Sequence, residues 1–322
     1  MSKARGLADL GNVYSDGALS NRNAIINGSF DVWQRGSPIT NAAGGSYFSA
    51  DRWKGYSGAS RTFTQDTTSA LSIGFKNCLK VVQGTSTSSL YHRIEDVRTY
   101  AGDTVTLSYW VKADAAHTTS FAYLKQYFGS GGSADVSVNM STVSITTSWQ
   151  KIVATVVLPS VEGKTIGASS YLEVYPFPLS ASQTYYITGV QLEVGDTATP
   201  FEHRSYGQEL ALCQRYFQIF KEDGATTTFG ATIAYNTTAA YDGPQHIFPV
   251  EMRAVPTRSE SGSFAAGDGL GGSIAITSLG SNVNRWGYVL GFVVASGLTV
   301  GKLYFVRASP ASGSTLKFDA EL

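Results

Sequence analysis

Charge, cysteine and long apolar runs are all scarce in this chain, and each scarcity removes a class of function. Only 15% of its residues are charged, against about 25% in typical soluble domains. Lys plus Arg and Asp plus Glu balance at 24 each, so charge gives no reason to expect nucleic acid or an anionic membrane as partner. The two cysteines, Cys78 and Cys213, lie far apart and form no C-x-x-C or other metal-binding spacing. They read as buried free thiols. None of the four histidines (His92, His117, His203, His246) has a second His or Cys at helical or hairpin spacing, so zinc is unsupported. The chain has no G-x-S-x-G elbow, H-E-x-x-H helix or P-loop, and so no signature of those hydrolases or nucleotide-binding proteins. No apolar run reaches ~18 residues, so no transmembrane helix or membrane insertion is expected. The start, MSKARGLADLGNVYSDGALSNRN, lacks the apolar centre of a signal peptide.

What is present is glycine (34), tyrosine (18) and phenylalanine (16) in a chain of 322 residues, long enough for two domains of roughly 100–200 residues each. From Ala24 to Val194 the hydrophobic period is two. In TVTLSYWVK, Val105, Leu107, Tyr109 and Val111 fall on one face, while Thr106, Ser108, Trp110 and Lys112 fall on the other. KIVATVVL (151–158) and the runs Phe75 to Gln83, Leu90 to Val97, Thr119 to Tyr127 and Ser169 to Phe177 are similarly strand-like. Many short strands separated by turn residues predict a β-sandwich over residues 23–204. At Ser205 to Gln218 the period changes. Tyr206, Leu210, Cys213 and Phe217 fall on one helical stripe, Leu212 and Tyr216 make a second strip, and Ser205 with Gln208 has capping-box spacing; together they predict a linking helix over 205–218. A helix of ~13 residues is unstable alone and must pack on its neighbours or on copies of itself. Strand-like runs return over 219–322, where a second, smaller β-sandwich is expected. Residues 1–22, polar and broken by Gly6, Gly11 and Gly17, read as an arm that cannot bury a core.

Three segments carry a resemblance. The stretch YYITGVQLEVGDTATPFEHRSYGQELALCQRYF (Tyr185 to Phe217) reads as a last sandwich strand, a turn, a tether ending in Thr199-Pro200-Phe201, and a helix. NAIINGSFDVWQRG (Asn23 to Gly36), followed by Ala50-Asp51-Arg52-Trp53, looks like the opening of a sandwich, and VTLSYWVKA (Val105 to Ala113) like a central strand. In this order and spacing they resemble the adhesin-type tail-fibre proteins of tailed bacteriophages over about residues 20 to 220. The resemblance implies an all-β fold: an N-terminal arm, a carbohydrate-binding jelly roll, a short linking α-helix and a second smaller sandwich. It also implies attachment to the tail, baseplate or another virion protein through residues 1–22, assembly as a homotrimer, and a location in the virion after synthesis in the host cytoplasm. Sugar-binding jelly rolls often hold a structural calcium where first and last strands meet. Asn27, Asp31 and Glu193 lie in the corresponding segments and are the candidate ligands; no other cofactor is expected.

Sugars present flat CH faces, which proteins bind with Trp and Tyr rings and with polar groups for the hydroxyls. Trp110, the set Tyr123, Lys125 and Tyr127, and the set Tyr171, Glu173 and Tyr175 all lie on strand faces that look polar. If their strands share a sheet they form a shallow aromatic floor for a glycan; otherwise the rings face a neighbouring subunit or a loop. Trp33, Trp53 and Trp149 read as core or turn anchors. Tyr235, Tyr241, Trp286 and Tyr288 are the next candidates, in the second sandwich. Leu210, Leu212, Tyr216 and Phe217 are the candidate oligomer interface. A non-enzymatic adhesin that binds host surface polysaccharide is the leading function. A purely structural virion protein (fibre base, head spike or decoration subunit) is the alternative. A polysaccharide depolymerase is disfavoured because no short repeat of a long β-helix is visible and no carboxylate pair stands out.

Overall fold

The computed structural model describes residues 22–41, 50–56, 60–222, 227–241, 243–309 and 313–322; apart from Arg22, the expected attachment arm lies outside the described residues. The chain divides into one unit comprising Met1–Glu209 with Leu322 and a second comprising Leu210–Glu321. Among the described residues the fold is all-β with one short α-helix, and no helix there is long and apolar enough to cross a membrane.

In the first unit the strands are β1 (Ile39–Asn41), β2 (Trp53–Tyr56), β3 (Arg61–Asp66), β4 (Cys78–Gln83), β5 (Ser88–Glu95), β6 (Thr104–Ala113), β7 (His117–Tyr127), β8 (Val136–Ile145), β9 (Gln150–Val157), β10 (Tyr171–Tyr175), β11 (Pro178–Leu179) and β12 (Thr184–Val194). They form two antiparallel sheets. One has the order β1-β3-β4-β12-β6-β9, the other β11-β5-β10-β7-β8 with β2 on β5. Alternation decides which side of each strand is dry. Val105, Leu107, Tyr109 and Val111 of β6 are fully buried, as are Leu90, Leu124, Leu172 and Val174 of the opposite sheet, and all belong to one core cluster. Burying such side chains contributes about 1.5–3 kcal/mol each before entropy is counted.

The opening segment is held by Asn27, which is fully buried and has a left-handed backbone at φ 58°. Its side-chain amide donates to the carbonyls of Val32 (2.9 Å) and Asp51 (3.1 Å), and its side-chain oxygen accepts from the Val32 amide at 3.0 Å. Its own carbonyl accepts from the Trp53 indole at 2.9 Å, and its backbone amide donates to the Glu209 carboxylate. Gly28 follows because the chain passes against β12: a Cβ there would sit 2.2 Å from the Val190 carbonyl oxygen. Val190 donates to the Gly28 carbonyl at 2.9 Å, next to an irregularity in β12 between Thr188 and Gln191. His92, fully buried, accepts from the Ile26 amide through Nε2 at 3.2 Å. Burial and the neighbouring Arg52 hold its pKa well below the ordinary histidine value.

The tether after β12 is bonded rather than loose. Glu193 accepts from the backbone amide (2.9 Å) and hydroxyl (2.6 Å) of Thr199, and the Glu202 amide donates to Gln191 at 2.8 Å. The capping box forms: the Ser205 amide donates to Gln208 Oε1 at 3.0 Å and the Gln208 amide to Ser205 Oγ at 3.3 Å. The helix, α1, covers Tyr206–Gln214 and is shorter than the expected 205–218. Phe217 already opens the next strand, where it pairs with Asp319.

The second unit contains β13 (Phe217–Lys221), β14 (Thr228–Ala234), β15 (Ala239–Tyr241), β16 (His246–Ile247), β17 (Thr257–Ser261), β18 (Phe264–Gly267), β19 (Ser273–Asn284), β20 (Gly287–Val294), β21 (Leu303–Ala308) and β22 (Thr315–Asp319). A three-stranded sheet β13-β22-β17 accompanies a seven-stranded sheet β15-β14-β21-β18-β19-β20-β16, which curls until β15 also pairs with β20. Phe248, Tyr288, Phe292, Phe318 and their neighbours fill the core. Two of the four expected oligomer contacts are consumed here. Tyr216 and Phe217 are 4% and 2% exposed, and the Tyr216 carbonyl accepts from the Ala320 amide at 2.8 Å. They cannot also meet a second copy, because the chain's own last strand holds them. Leu210 and Leu212 stay half-buried on the helix.

Asn27→Ala should lower unfolding stability by about 2–4 kcal/mol, because it strands buried carbonyls and an amide and keeps a positive φ that alanine resists. Urea unfolding of the full chain checks this; a loss within measurement error would show that the junction is replaceable.

Candidate functional site

Strand β10 lies between β5 and β7, and its register brings three outward residues into rows. Tyr171 pairs with Tyr127, Glu173 with Lys125, and Tyr175 with Tyr123. On the other side Tyr171 pairs with Glu95 and Glu173 with Arg93. Directly paired residues project from the same face, so the face opposite the core carries Arg93 and Glu95, then Tyr171, Glu173 and Tyr175, then Tyr123, Lys125 and Tyr127. Tyr91, two residues before Arg93 on β5, shares that face. The rings stack in pairs, Tyr123 on Tyr175 at 4.4 Å and Tyr127 on Tyr171 at 4.5 Å between centroids, with Tyr91 at 5.3 Å from Tyr175. Between the pairs, Arg93 Nε donates to the Glu173 carboxylate at 2.9 Å while its guanidinium lies 4.2 Å from the Tyr171 ring centre. Arg93 also donates to the Leu322 carbonyl at 2.9 Å. Lys125 pairs with Asp135 at 2.7 Å.

Six of the seven sequence-predicted residues therefore share one face, but they are not equally accessible. Tyr171, Glu173 and Tyr175 are only 9%, 6% and 7% exposed, since the rings of the flanking strands close over the central one. Tyr91, Tyr123, Lys125 and Tyr127 are half-buried and offer the accessible surface. Expecting Tyr171 and Tyr175 as open stacking platforms needs correction: their outward surface is taken by Tyr127 and Tyr123. Burial, the leading cause, pushes the hydroxyls of Tyr171 and Tyr175 up to about 12, with Glu173 adding to both. The Tyr123 hydroxyl is also raised, by burial first and then by Tyr91.

Trp110 is not part of this face. It lies on β6, in the other sheet, opposite Lys151 and Thr188. Its ring packs with Trp149, Tyr186 and Phe201 against Ala70, Phe75 and Cys78. The tether covers this side, with the Thr106 hydroxyl donating to the Gly195 carbonyl at 2.8 Å and Phe201 set 5.2 Å from Phe75. The single floor that would include Trp110 does not form, because strand alternation gives a face but not a sheet. Trp33, Trp53 and Trp149 each donate to a backbone carbonyl, of Phe30, Asn27 and Ser69 respectively. In the second unit Tyr235, Tyr241 and Trp286 are exposed, whereas Tyr288 is a core residue.

Asn27, Asp31 and Glu193, the candidate calcium ligands, are each engaged within the fold. Asn27 spends its carboxamide on the loop, Asp31 accepts from Ser29 (2.6 Å) and Asn77 (2.5 Å), and Glu193 accepts from Thr199 and Gln191. Among the described residues no group of three or more His, Cys, Asp and Glu side chains is placed to hold a metal ion. Tyr91 and Arg93 join this face without being among the sequence-predicted residues, although LYHRIE alternates polar and apolar residues in the manner of β7 and β10. The alternation is legible in sequence; adjacency to β10 is not.

No family model matches the chain, and no curated protein matches it. Several solved structures are similar to it. A Clostridium thermocellum xylanase 10B structure with family 22 binding and family 10 catalytic modules, in complex with xylohexaose, has 11% identity and a TM-score of 0.37 over 55% of this chain and 29% of that one. The enzymatically active domain of Bacteriophage CBA120 tailspike protein 4 has 13% identity and a TM-score of 0.34, over 54% and 22%. The family 22 xylan-binding domain of Paenibacillus barcinonensis Xyn10C has 12% identity and a TM-score of 0.34, over 51% of this chain and 97% of that domain. The match thus spans less than a third of the xylanase and tailspike chains. Identities and TM-scores this low leave all three as likenesses alone.

The raised tyrosines make a pH prediction. An unfolded tyrosine ionises near pH 10. Between about pH 10 and 12 the unfolded chain thus sheds protons that Tyr171 and Tyr175 retain in the folded chain, and stability must fall as pH rises through that window. Urea midpoints measured across it should decline, and the Tyr171→Phe/Tyr175→Phe chain should decline less steeply. Identical slopes would show that these two hydroxyls are not held back by the fold.

Proposed function

We propose that the chain is a non-catalytic glycan-binding fibre or spike protein of a tailed bacteriophage, which attaches to the particle through residues 1–22 and contacts host surface polysaccharide with its first sandwich. The observation that carries the glycan reading is the register of β5, β10 and β7, which sets tyrosine rings beside a guanidinium, a carboxylate and an ammonium group on one face. Sugar CH faces would lie on Tyr91, Tyr123 and Tyr127, whose orientations are fixed by the buried Tyr171 and Tyr175. Hydroxyls would exchange hydrogen bonds with Lys125 and Arg93, the latter oriented by the buried Glu173 carboxylate. A groove this shallow leaves most of a sugar wet, so affinity per copy is low and several linked copies supply avidity, a gain of about 10²–10⁴. The virion role, the host polysaccharide and the homotrimer rest on the resemblance of NAIINGSFDVWQRG, VTLSYWVKA and the strand–tether–helix stretch to phage adhesins. With Tyr216 and Phe217 committed inside the chain, Leu210 and Leu212 are the helix residues left for contact between copies.

A purely structural virion role is the second reading, favoured by the low exposure of Tyr171, Glu173 and Tyr175. A glycan array probed with the purified chain separates the two. Tyr123→Ala and Tyr127→Ala should each weaken array binding by about 0.5–1.5 kcal/mol per site, measured per folded molecule because each also removes a ring stacked on Tyr175 or Tyr171. Trp110→Ala should lose about 1–3 kcal/mol of stability with binding per folded molecule unaltered. An array with no signal, or one unchanged in both tyrosine variants, would leave the structural role standing.

Deleting Met1 to Ser20 tests attachment. The melting temperature should barely move, and particles made with the shortened protein should lack it. Normal copy number on those particles would put the docking site elsewhere.

A further inference from the structure

We propose that the first unit holds a second sugar site, separate from the tyrosine face: a pocket for a single neutral hexopyranose residue lined by Asp31, Gln65, Thr67, Lys76, Asn77 and Tyr206. Its volume is ≈ 430 Å³, within the usual range of about 300–1,000 Å³ for small-molecule sites. The residues come from the opening loop, the end of β3 and the turn after it, the segment entering β4 and the first turn of α1, none of which belongs to the β5-β10-β7 face.

The polar groups are set in place by the fold. Asp31 accepts from Ser29 Oγ at 2.6 Å and from Asn77 Nδ2 at 2.5 Å. Asn77 is 5% exposed, and its backbone carbonyl is fixed by the Thr188 hydroxyl at 2.8 Å. Gln65 is anchored by its side-chain amide to the carbonyls of Phe30 (3.1 Å) and Asp31 (3.3 Å). A carboxylate has about four acceptor positions and a carboxamide two donor hydrogens, so these bonds leave both groups with capacity toward a ligand. A ligand that both donates and accepts through adjacent hydroxyls suits that pair. Lys76, which is exposed, and Asp31 give the lining one charge of each sign. With no net charge to attract an anion, the lining suits a neutral ligand.

Tyr206 supplies the apolar part. Its place on the helical stripe predicts a packed ring, yet it is 60% exposed and lines the pocket. A pyranose stacked by its CH face on this ring would turn its hydroxyls toward Asp31 and Asn77. Carboxylate, carboxamide and aromatic ring together match both the polar edge and the apolar face of one sugar residue.

The test titrates the full chain, followed by amide chemical-shift changes, with the methyl glycosides of glucose, galactose, mannose and N-acetylglucosamine, and with methyl glucuronide. At least one neutral glycoside should shift the Asn77 and Tyr206 signals. Tyr206→Ala, an exposed position that leaves the fold intact, should weaken that binding about fivefold or more. Asp31→Asn should weaken it as well, with its melting temperature checked because Asp31 also holds Ser29 and Asn77. Tyr127→Ala, on the sheet face, should leave it unchanged, which separates failure of this pocket from failure of the tyrosine face. No binding by any neutral glycoside, binding of the glucuronide alone, or an unaltered affinity in Tyr206→Ala would each overturn the proposal.

Discussion

The first unit depends on the burial of one polar side chain, Asn27. A carboxamide taken out of water costs several kcal/mol unless its donors and acceptor are met, and here they are met by the opening loop and by Asp51. Its carbonyl and amide extend the junction to Trp53 and Glu209. Three stretches of the sequence, the opening loop, Asp51 to Trp53 and the start of the helix, are thereby brought together around a left-handed residue. Each bond raises the cost of breaking another, since any broken partner would leave a polar group without water. The sandwich edge, the path into β2 and the start of the helix all follow from this arrangement.

The two faces of the β5-β10-β7 sheet obey the same geometry with opposite outcomes. Inward, Leu172 and Val174 join a dry core. Outward, the rings of flanking strands lean over β10 and remove most of its side chains from water. This leaning fixes the half-buried tyrosines while using up the central ones, so the accessible surface lies at the flanks of the face. The opposite sheet has its outer side covered by the tether, and the aromatic residues there act as a second small core.

In the first unit several of the few charged groups are built into the fold. Carboxylates near the first unit's opening loop and tether accept from backbone amides, hydroxyls and carboxamides, as Asp31, Glu193 and Glu202 do. Such groups serve as fixed acceptors within the fold, and among the described residues no group of three or more His, Cys, Asp and Glu side chains is placed to hold a metal ion.

The sequence alone determined the features set by local chemistry. Alternation in TVTLSYWVK dictates which side of β6 is buried, because successive side chains in a strand point to opposite faces. Ser205 and Gln208 dictate where the helix begins, because their side chains meet backbone groups three residues away. The sandwich class and the pairing of Tyr123, Lys125 and Tyr127 on one face were legible for the same reason. Only tertiary structure decided what depends on which strand lies beside which. Trp110 and Tyr123 both look outward on polar strand faces, yet they are on different sheets, and strand order is not encoded in a period of two. Phe217 fits a helical stripe at i+11 from Tyr206, but pairing with β22 offers its backbone a ladder and its ring a core, and that long-range gain ends the helix at Gln214. Tyr206, on the same stripe, has no such partner and stays exposed. Exposure is a property of what approaches from elsewhere in the chain, and no local pattern contains it.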